Sequence, residues 1–341
     1  PQTANGAPSF QGPWLEAHEH ELPKMIVEAR KINKARTTFI EGAILEYSHN
    51  GRIHAEAHPL KNDGGGTVTG RFSYSNPNLQ QIPARDPQIG KMIRSLFIPE
   101  EGATWGIFDY SQQEPRITVH YSSLLGLPGA ADAVNAYSNE GADFHQIVAD
   151  MAGIPRKQAK DINLGLTYGM GREKLIRELG LEQDEAARLL EVYHARVPFV
   201  RAMQDRCTRT AQERGYITTL GGRKCHFDLW EPVGYLADEK KTPLPEQEAK
   251  DQYGDNLKRS FTYKALNKLI QGSAADMTKL AMRELWKEGM VPHIQIHDEL
   301  DFSIFNKEQS EMVIDKMVNC VDMRVPLVVD YESGDNWGEA V

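Results

Sequence analysis

A chain of 341 residues, 40% hydrophobic and 26% charged, can bury a sizeable core, and with no run of about 18 apolar residues it carries no helical membrane span. Its formal net charge of −9, taken alone, argues against a nucleic-acid binder. Three widely spaced cysteines, Cys207, Cys225 and Cys320, lack CxxC spacing and point to reduced thiols in a cytosolic setting, not to a disulfide frame or zinc site.

The chain begins "PQTANGAPSF", with neither a signal peptide nor an initiating Met, as expected of a processed product or an excised piece. Residues 1 to about 12 read as a flexible arm. Residues 14–44 read as mostly helical, with Pro23 as a break or first-turn residue. The glycines at 64–66 mark a hinge or tight turn. "ATWGIFDY" reads as a short apolar strand ending on Asp109. Residues 115 to about 220 read as helices, with loops near Pro128–Gly129, Gly153–Pro155 and Gly180–Leu181. Residues 231–252 are polar and Pro-containing, a surface insertion. A helix is expected from Ser260 through "ALNKLIQGSAADMTKLAMREL". "HIQIHDELDFSIF" alternates like two strands with a turn near Asp298, and "KEQSEMVIDKMVNCV" reads as a helix.

One helix carries an unusual face. In "RKQAKDINLGLTYG" (156–169), Arg156, Lys160, Leu164 and Tyr168 stand four apart, and such positions drift by only about 40° per step round a helix. A solvated amphipathic helix segregates its cations from its apolar residues, whereas this one mixes them along one side. Arg156 can fork two phosphate oxygens, Lys160 supplies a point charge, and Leu164 and Tyr168 can pack under a base. Asp109 and Asp298, at a strand end and a hairpin turn, are rigid platforms of the kind that hold Mg²⁺ with help from substrate phosphates. The charge is unevenly placed: residues 151–230 hold 14 Lys and Arg against 10 Asp and Glu, and a local basic face can still hold phosphates despite the global balance.

These stretches resemble the motifs of family A, DNA polymerase I-like, DNA polymerases. "DYSQQEPR" (109–116), "RKQAKDINLGLTYG" and "IQIHDEL" (294–300) resemble motifs A, B and C in order, and "TGRFSYSNPNLQQIPAR" (69–85) and "ALNKLIQGSAAD" (265–276) match two further blocks. The resemblance covers about residues 22–341, and the short spacing between "DFH" (143–145) and Arg156 is closer to phage members. It implies an α+β, right-hand polymerase fold, with an antiparallel palm sheet, inserted helical fingers and a partial thumb. The implied divisions are an N-terminal arm and partial thumb at 1–60, palm at 61–124, fingers at 125–258 and palm again at 259–341.

The implied activity is template-directed DNA synthesis, with dNMP transferred from dNTP to a primer 3′-hydroxyl (EC 2.7.7.7). Asp109, Asp298 and the backbone carbonyl of Tyr110 would hold two Mg²⁺ ions, with Lys160 as a catalytic residue, a point charge or a proton donor to the leaving pyrophosphate. Gln112, Glu114, His145, Arg156, Lys160, Leu164 and Tyr168 would meet the dNTP, Glu114 as the steric gate against a ribose 2′-hydroxyl. Arg71, Asn78, Gln80, Asn267, Gln271 and His297 would touch primer–template DNA, largely through the minor groove. Glu299 completes "HDE" as a supporting residue. Leu164 departs from the usual Phe or Tyr, which implies altered tolerance for dideoxynucleotides. Tyr263 stands where an arginine is common, and Gln113 and Pro115 stand where apolar residues are more usual.

Only part of a thumb-like region precedes Arg71, and no Asp-x-Glu exonuclease motif lies upstream. The resemblance therefore implies the C-terminal part of a longer or split polymerase, partnered by an N-terminal polymerase/exonuclease portion in the host cytoplasm of a phage. Three rival readings are a two-metal phosphohydrolase, a non-enzymatic primer–template binding module and an RNA-synthesising relative. The hydrolase has no use for the Arg156–Tyr168 face, the binding module predicts loss of Asp109, Asp298 or Lys160, and the RNA-synthesising relative carries a different motif A.

Overall fold

The computed structural model describes residues 6, 8, 10–61, 65–84, 86–140, 143, 145–146, 149–150, 154–167, 170–233 and 242–340. Its centre is a four-stranded antiparallel sheet made of β1 (Thr104–Tyr110), β2 (Ile294–Ile296), β3 (Glu299–Ile304) and β4 (Val329–Gly334), in the order β2-β3-β1-β4. The expected strand at "ATWGIFDY" is present, and it runs one residue past Asp109 to Tyr110.

Alternation along β1 divides the sheet into two faces. Phe108 and Tyr110 join Leu300, Phe302 and Ile304 in one core, while Trp105 and Ile107 pack with Ile93, Ile294 and Trp337 in another. Register places Asp109 opposite Glu299 on one side and Asp330 on the other, and Ile107 opposite Asp301 and Glu332. Opposed residues share a face, so five carboxylates lie on the Trp105–Ile107 side of the sheet.

The first core is closed by four helices: α2 (Gln113–Leu124), α5 (Pro198–Arg214), α6 (Ala265–Lys287) and α7 (Lys307–Val318). Helix α6 is apolar on most sides, with Leu266, Ile270, Met277, Ala281 and Leu285 buried, because the other three pack around it. Burying each large aliphatic side chain there stabilises the fold by about 1.5–3 kcal/mol. Gly272 lets a hairpin approach: a Cβ at that position would sit 2.7 Å from the Thr219 methyl group. The expected helix from Ser260 begins instead at Ala265, because Phe261 adopts a left-handed φ of 59° ahead of a 3₁₀ turn at Thr262–Lys264.

A second, helical lobe lies between β1 and α6 in sequence. Its core gathers α3 (Arg156–Thr167), the helix Arg172–Leu179 and α4 (Gln183–Arg196) around Leu166, Leu175, Leu189 and Tyr193. Helix α4 begins with a reciprocal capping box between Glu182 and Glu185, and α5 begins on Pro198, whose missing N–H costs nothing in a first turn. Helix α5 belongs to both lobes: Phe199 and Val200 enter the second core, and Met203, Cys207 and Ala211 the first.

The helical expectation for 115–220 stops short at Arg214, because Gly215 at φ 77° turns the chain into the hairpin Tyr216–Thr218 with Lys224–His226. The surface insertion has structure of its own. Together with flanking residues it forms a small sheet of strands Leu229–Pro232, Leu244–Pro245 and Leu257–Arg259 beside the helix Glu246–Tyr253. Near the N-terminus α1 (Glu21–Lys34) takes Pro23 in its first turn and continues into a π-helical stretch, Ala35–Leu45. Most of the expected arm, residues 1–5, 7 and 9, lies outside the described residues, as do Gly64 and Gly153 of the expected turns.

Candidate active site

The strand and helix ends converge on a cavity of about 580 Å³ at the edge of the sheet. Asp109 stands near the end of β1, and Asp298 occupies the two-residue turn between β2 and β3 with His297. His297 adopts φ 55°, the left-handed form that two-residue hairpin turns require, at a cost of roughly 1 kcal/mol for a residue with a Cβ. The Tyr110 side chain points the other way, donating from its hydroxyl to the Met317 carbonyl at 2.7 Å. Only the Tyr110 backbone is left to face the cavity that this residue lines.

The two carboxylates are electrostatically uncomfortable. Burial, then the charges of Asp298 and Glu299, push the Asp109 carboxyl from 3.8 up to about 8, against the pull of Lys160. Burial also raises Asp298, opposed by Arg71, His297 and Lys160. Asp109 Oδ1 is buried with no hydrogen-bond partner among the described residues. Deeper on the same face, Asp301 is fully buried and raised well above the usual carboxylate range by burial and by Glu299.

Such a pair fits a divalent cation. Mg²⁺ takes oxygen ligands and commonly only one or two protein carboxylates, with substrate oxygens completing its shell. Among the described residues, no group of three or more His, Cys, Asp or Glu would hold a metal alone. Asp109 and Asp298, with the Tyr110 carbonyl, suit an ion that arrives with a phosphate-bearing substrate.

A carboxyl raised on folding binds its proton more tightly folded than unfolded, so its contribution makes stability fall as pH rises from about 4 through about 8. Without divalent cation at pH 8, Asp109→Asn is therefore expected to stabilise the chain by about 1–2 kcal/mol, a rise of a few degrees in Tm. Mg²⁺ added with dNTP should raise the Tm of the wild type more than that of the variant, which scanning fluorimetry measures directly.

Cations and an ion-paired acid close the other side. Arg71 Nη2 pairs with Glu114 Oε1 at 2.6 Å, and the two side chains are 25% and 15% exposed. Glu114 sits in the first turn of α2, where the helix dipole favours an acid. Arg71 is steadied from behind: the Arg223 guanidinium donates to the Thr69 carbonyl at 2.7 Å and pairs with Asp276 at 3.0 Å. Gln112 takes a left-handed φ of 53° at the entry to α2 and accepts from the Tyr137 hydroxyl at 3.2 Å. Buried Gln113 has a physical reason to be polar, since its amide donates towards the Ala274 carbonyl and Thr278 hydroxyl of α6. Pro115 falls in the first turn of α2, where it is tolerated.

On α3, exposed Arg156 and Lys160 both line the cavity. Arg156 is ion-paired with Asp143. Burial works against the Asp143 charge, but Arg156 and the N–H groups of Gln146 and His145 hold its carboxyl below the usual range. Buried His145 meets Asn163 of α3, which in turn meets Tyr193 of α4.

The cavity thus brings together Arg71, Asp109, Tyr110, Gln112, Glu114, His145, Arg156, Lys160, Gln271, His297 and Asp298. Asn78, Gln80 and Asn267 do not line it. Asn78 caps the 3₁₀ turn Leu79–Gln81, Gln80 donates to the Gln295 carbonyl at 3.2 Å beside the hairpin, and Asn267 lies one turn before Gln271 on α6. Tyr168 lies outside the described residues, as does the Leu164 side chain. Sequence reasoning missed Asp143, Asn163, Tyr193 and Asp330. "DFH" held the signal for Asp143, a carboxylate two residues before a histidine, whereas Asp330 reaches the site only through strand register.

Comparisons with known proteins bear on the family and the fold. The family model for DNA polymerase family A matches residues 2–339. A DNA-directed DNA polymerase of Pseudomonas phage M6 is 36% identical, aligned over 100% of this chain and 55% of its own length. DNA polymerase DpoZ of Acinetobacter phage SH-Ab 15497 is 32% identical over 99% of this chain and 56% of its own, and DNA polymerase I of Caldicellulosiruptor bescii 34% identical over 94% and 36%. The POL domain of Pol1 from M. smegmatis, solved in complex with DNA primer-template and dNTP, has a TM-score of 0.76 at 29% identity, covering 100% of this chain and 58% of that one. The chain spans about half the length of the phage relatives it matches.

Proposed function

Because this chain belongs to DNA polymerase family A, we propose that it carries the nucleotide-transfer part of a DNA-directed DNA polymerase, adding dNMP from dNTP to a primer 3′-hydroxyl on a template. The observation that carries the reading is the cavity itself. Three segments distant in sequence, 109–114, 156–160 and 298, deliver two raised carboxylates, an acid and two exposed cations to one place, and Arg71 from a fourth holds that acid. A phosphohydrolase would need the carboxylates, but not the Arg71–Glu114 gate.

In this reading Asp109, Asp298 and the Tyr110 carbonyl hold two Mg²⁺, which when bound supply acidification of the 3′-hydroxyl and charge neutralisation of the leaving pyrophosphate. Arg156 exchanges Asp143 for phosphate oxygens as the triphosphate arrives. Lys160 donates a proton or a point charge to the leaving group, and His145 and Gln112 complete the triphosphate contacts. Glu114, held by Arg71, occupies the space a ribose 2′-hydroxyl would need. Gln271, His297, Asn267, Asn78 and Gln80 line the path of primer and template, and Leu164 and Tyr168 meet sugar and base. The sheet with residues 61–124 and 259–341 then serves as palm, residues 125–258 as fingers, and residues 1–60 as an arm and partial thumb. An N-terminal polymerase/exonuclease portion, in the same or a separate chain, would complete the grip on duplex backbone that a chain of net charge −9 needs. Among the described residues no helix is long and apolar enough to cross a membrane, and the host-cell cytoplasm is the proposed location.

The test is extension of a labelled primer on a DNA template by the 341-residue chain with Mg²⁺ and dNTPs. The expected result is addition of bases in template order. Failure to extend, persisting when the N-terminal portion of a phage relative is supplied in trans, would overturn the reading.

A further inference from the structure

We propose that Asn163 and Tyr193 are positioning residues that fix His145 in the tautomer with its proton on Nε2, so that the imidazole meets the triphosphate as a hydrogen-bond donor. The proposal rests on the reading of His145 as a phosphate contact. The three side chains are 2%, 3% and 2% exposed in the order His145, Asn163, Tyr193, so water competes for none of their bonds. Asn163 Nδ2 lies 3.1 Å from His145 Nδ1, and the Tyr193 hydroxyl donates to Asn163 Oδ1 at 3.0 Å.

The two ends of an amide are chemically different. The oxygen only accepts and the NH₂ only donates, so an amide oxygen that receives the tyrosine proton turns its NH₂ towards the imidazole. Nδ1 then has to accept, which leaves the ring proton on Nε2. Phosphate oxygens accept only, so the opposite tautomer would set a lone pair against them. Each link demands the next: the phosphate needs Nε2–H, Nε2–H needs an NH₂ at Nδ1, and that NH₂ needs the tyrosine proton on the amide oxygen.

The placement of Asn163 adds a consequence. It lies three residues after Lys160 on α3, while Tyr193 stands on α4 and His145 on the segment before α3. One amide therefore couples the orientation of the imidazole to the position of the helix that carries Arg156 and Lys160. A tilt of α3 that breaks the Asn163 bond would also release the tautomer.

The first test needs no activity. In the wild-type chain labelled with ¹⁵N-histidine, the ring pattern of His145, assigned by its loss in His145→Gln, is expected to be that of the Nε2–H form. Asn163→Asp keeps the side-chain shape but puts an acceptor at Nδ1, and should protonate that nitrogen. A wild-type ring protonated on Nδ1 would overturn the proposal, whatever the chain catalyses. The second test is kinetic. Tyr193→Phe is expected to raise the KM for the incoming nucleotide about 3–10-fold with kcat held within about twofold, and to change KM less than about twofold in a His145→Ala background. Equal penalties in both backgrounds would reduce Tyr193 to packing and sink the positioning role.

Discussion

Asp298→Asn is expected to lower the single-turnover rate of nucleotide addition at least about a thousandfold, while primer–template affinity stays within about twofold. The substitution keeps the volume of the side chain and the turn that bears it, so the hairpin register from Ile294 to Asp301 should survive. What it removes is a negative charge from a part-buried place where burial already raises the carboxyl and where its own backbone N–H, Arg71, His297 and Lys160 favour its ionised form. In the proposed reading that charge would act on a bound cation as the oxyanion develops, so the loss is expected in the chemical step and not in binding. Rapid-quench extension of a bound primer separates the two. An Asp298→Asn variant that adds nucleotide at the wild-type rate would remove this carboxylate from the reaction and leave Asp109 to be explained alone.

Glu114→Ala is expected to reduce discrimination against ribonucleotides about 10–200-fold, read as the ratio of kcat/KM for dNTP and rNTP. In the proposed role Glu114 would work by filling space, and a flexible side chain fills space poorly. Here the 2.6 Å bond to Arg71 removes that flexibility, and Arg71 is itself anchored through Thr69 to Arg223 and Asp276. Glu114→Gln keeps the volume and can still accept from Arg71, so it should retain most of the discrimination. If alanine at this position leaves the ratio unchanged, the 2′-hydroxyl is excluded by another group. If glutamine behaves like alanine, charge and not volume is the operative property.

Much of this arrangement is legible in local pattern. The apolar run before Asp109 and the alternation around Asp298 read as strands because each has one or both faces buried, and they lie within a residue of their expected ends. The four-residue spacing of Arg156 and Lys160 reads as one helix face, and the cavity uses it. Other features escape because they depend on pairings between distant segments. No local signal says that Asp330 stands opposite Asp109, that Asp143 holds Arg156, or that Tyr193 reaches Asn163. Gln113 looks like a departure only until α6 supplies its two acceptors. The small sheet within the insertion escapes for the opposite reason: its strands are two to four residues long, too short for periodicity to register.

The order of strands also dictates when the site can exist. β1 lies inside the sheet, with β3 on one side and β4 on the other, and both partners come from more than half the chain's length away in sequence. Closing such long loops is entropically costly and slow, so these pairings are late events in folding. As the chain is synthesised, Asp109 must wait for the whole helical lobe before Asp298 arrives, and β1 keeps one open edge until residues 329–334 follow. During that interval the strand is an unpaired template for aggregation. The repulsive carboxylates Asp109 and Asp298 thus meet only after the helical lobe has been made, and a chain that stops before β4 leaves β1 with an open, aggregation-prone edge.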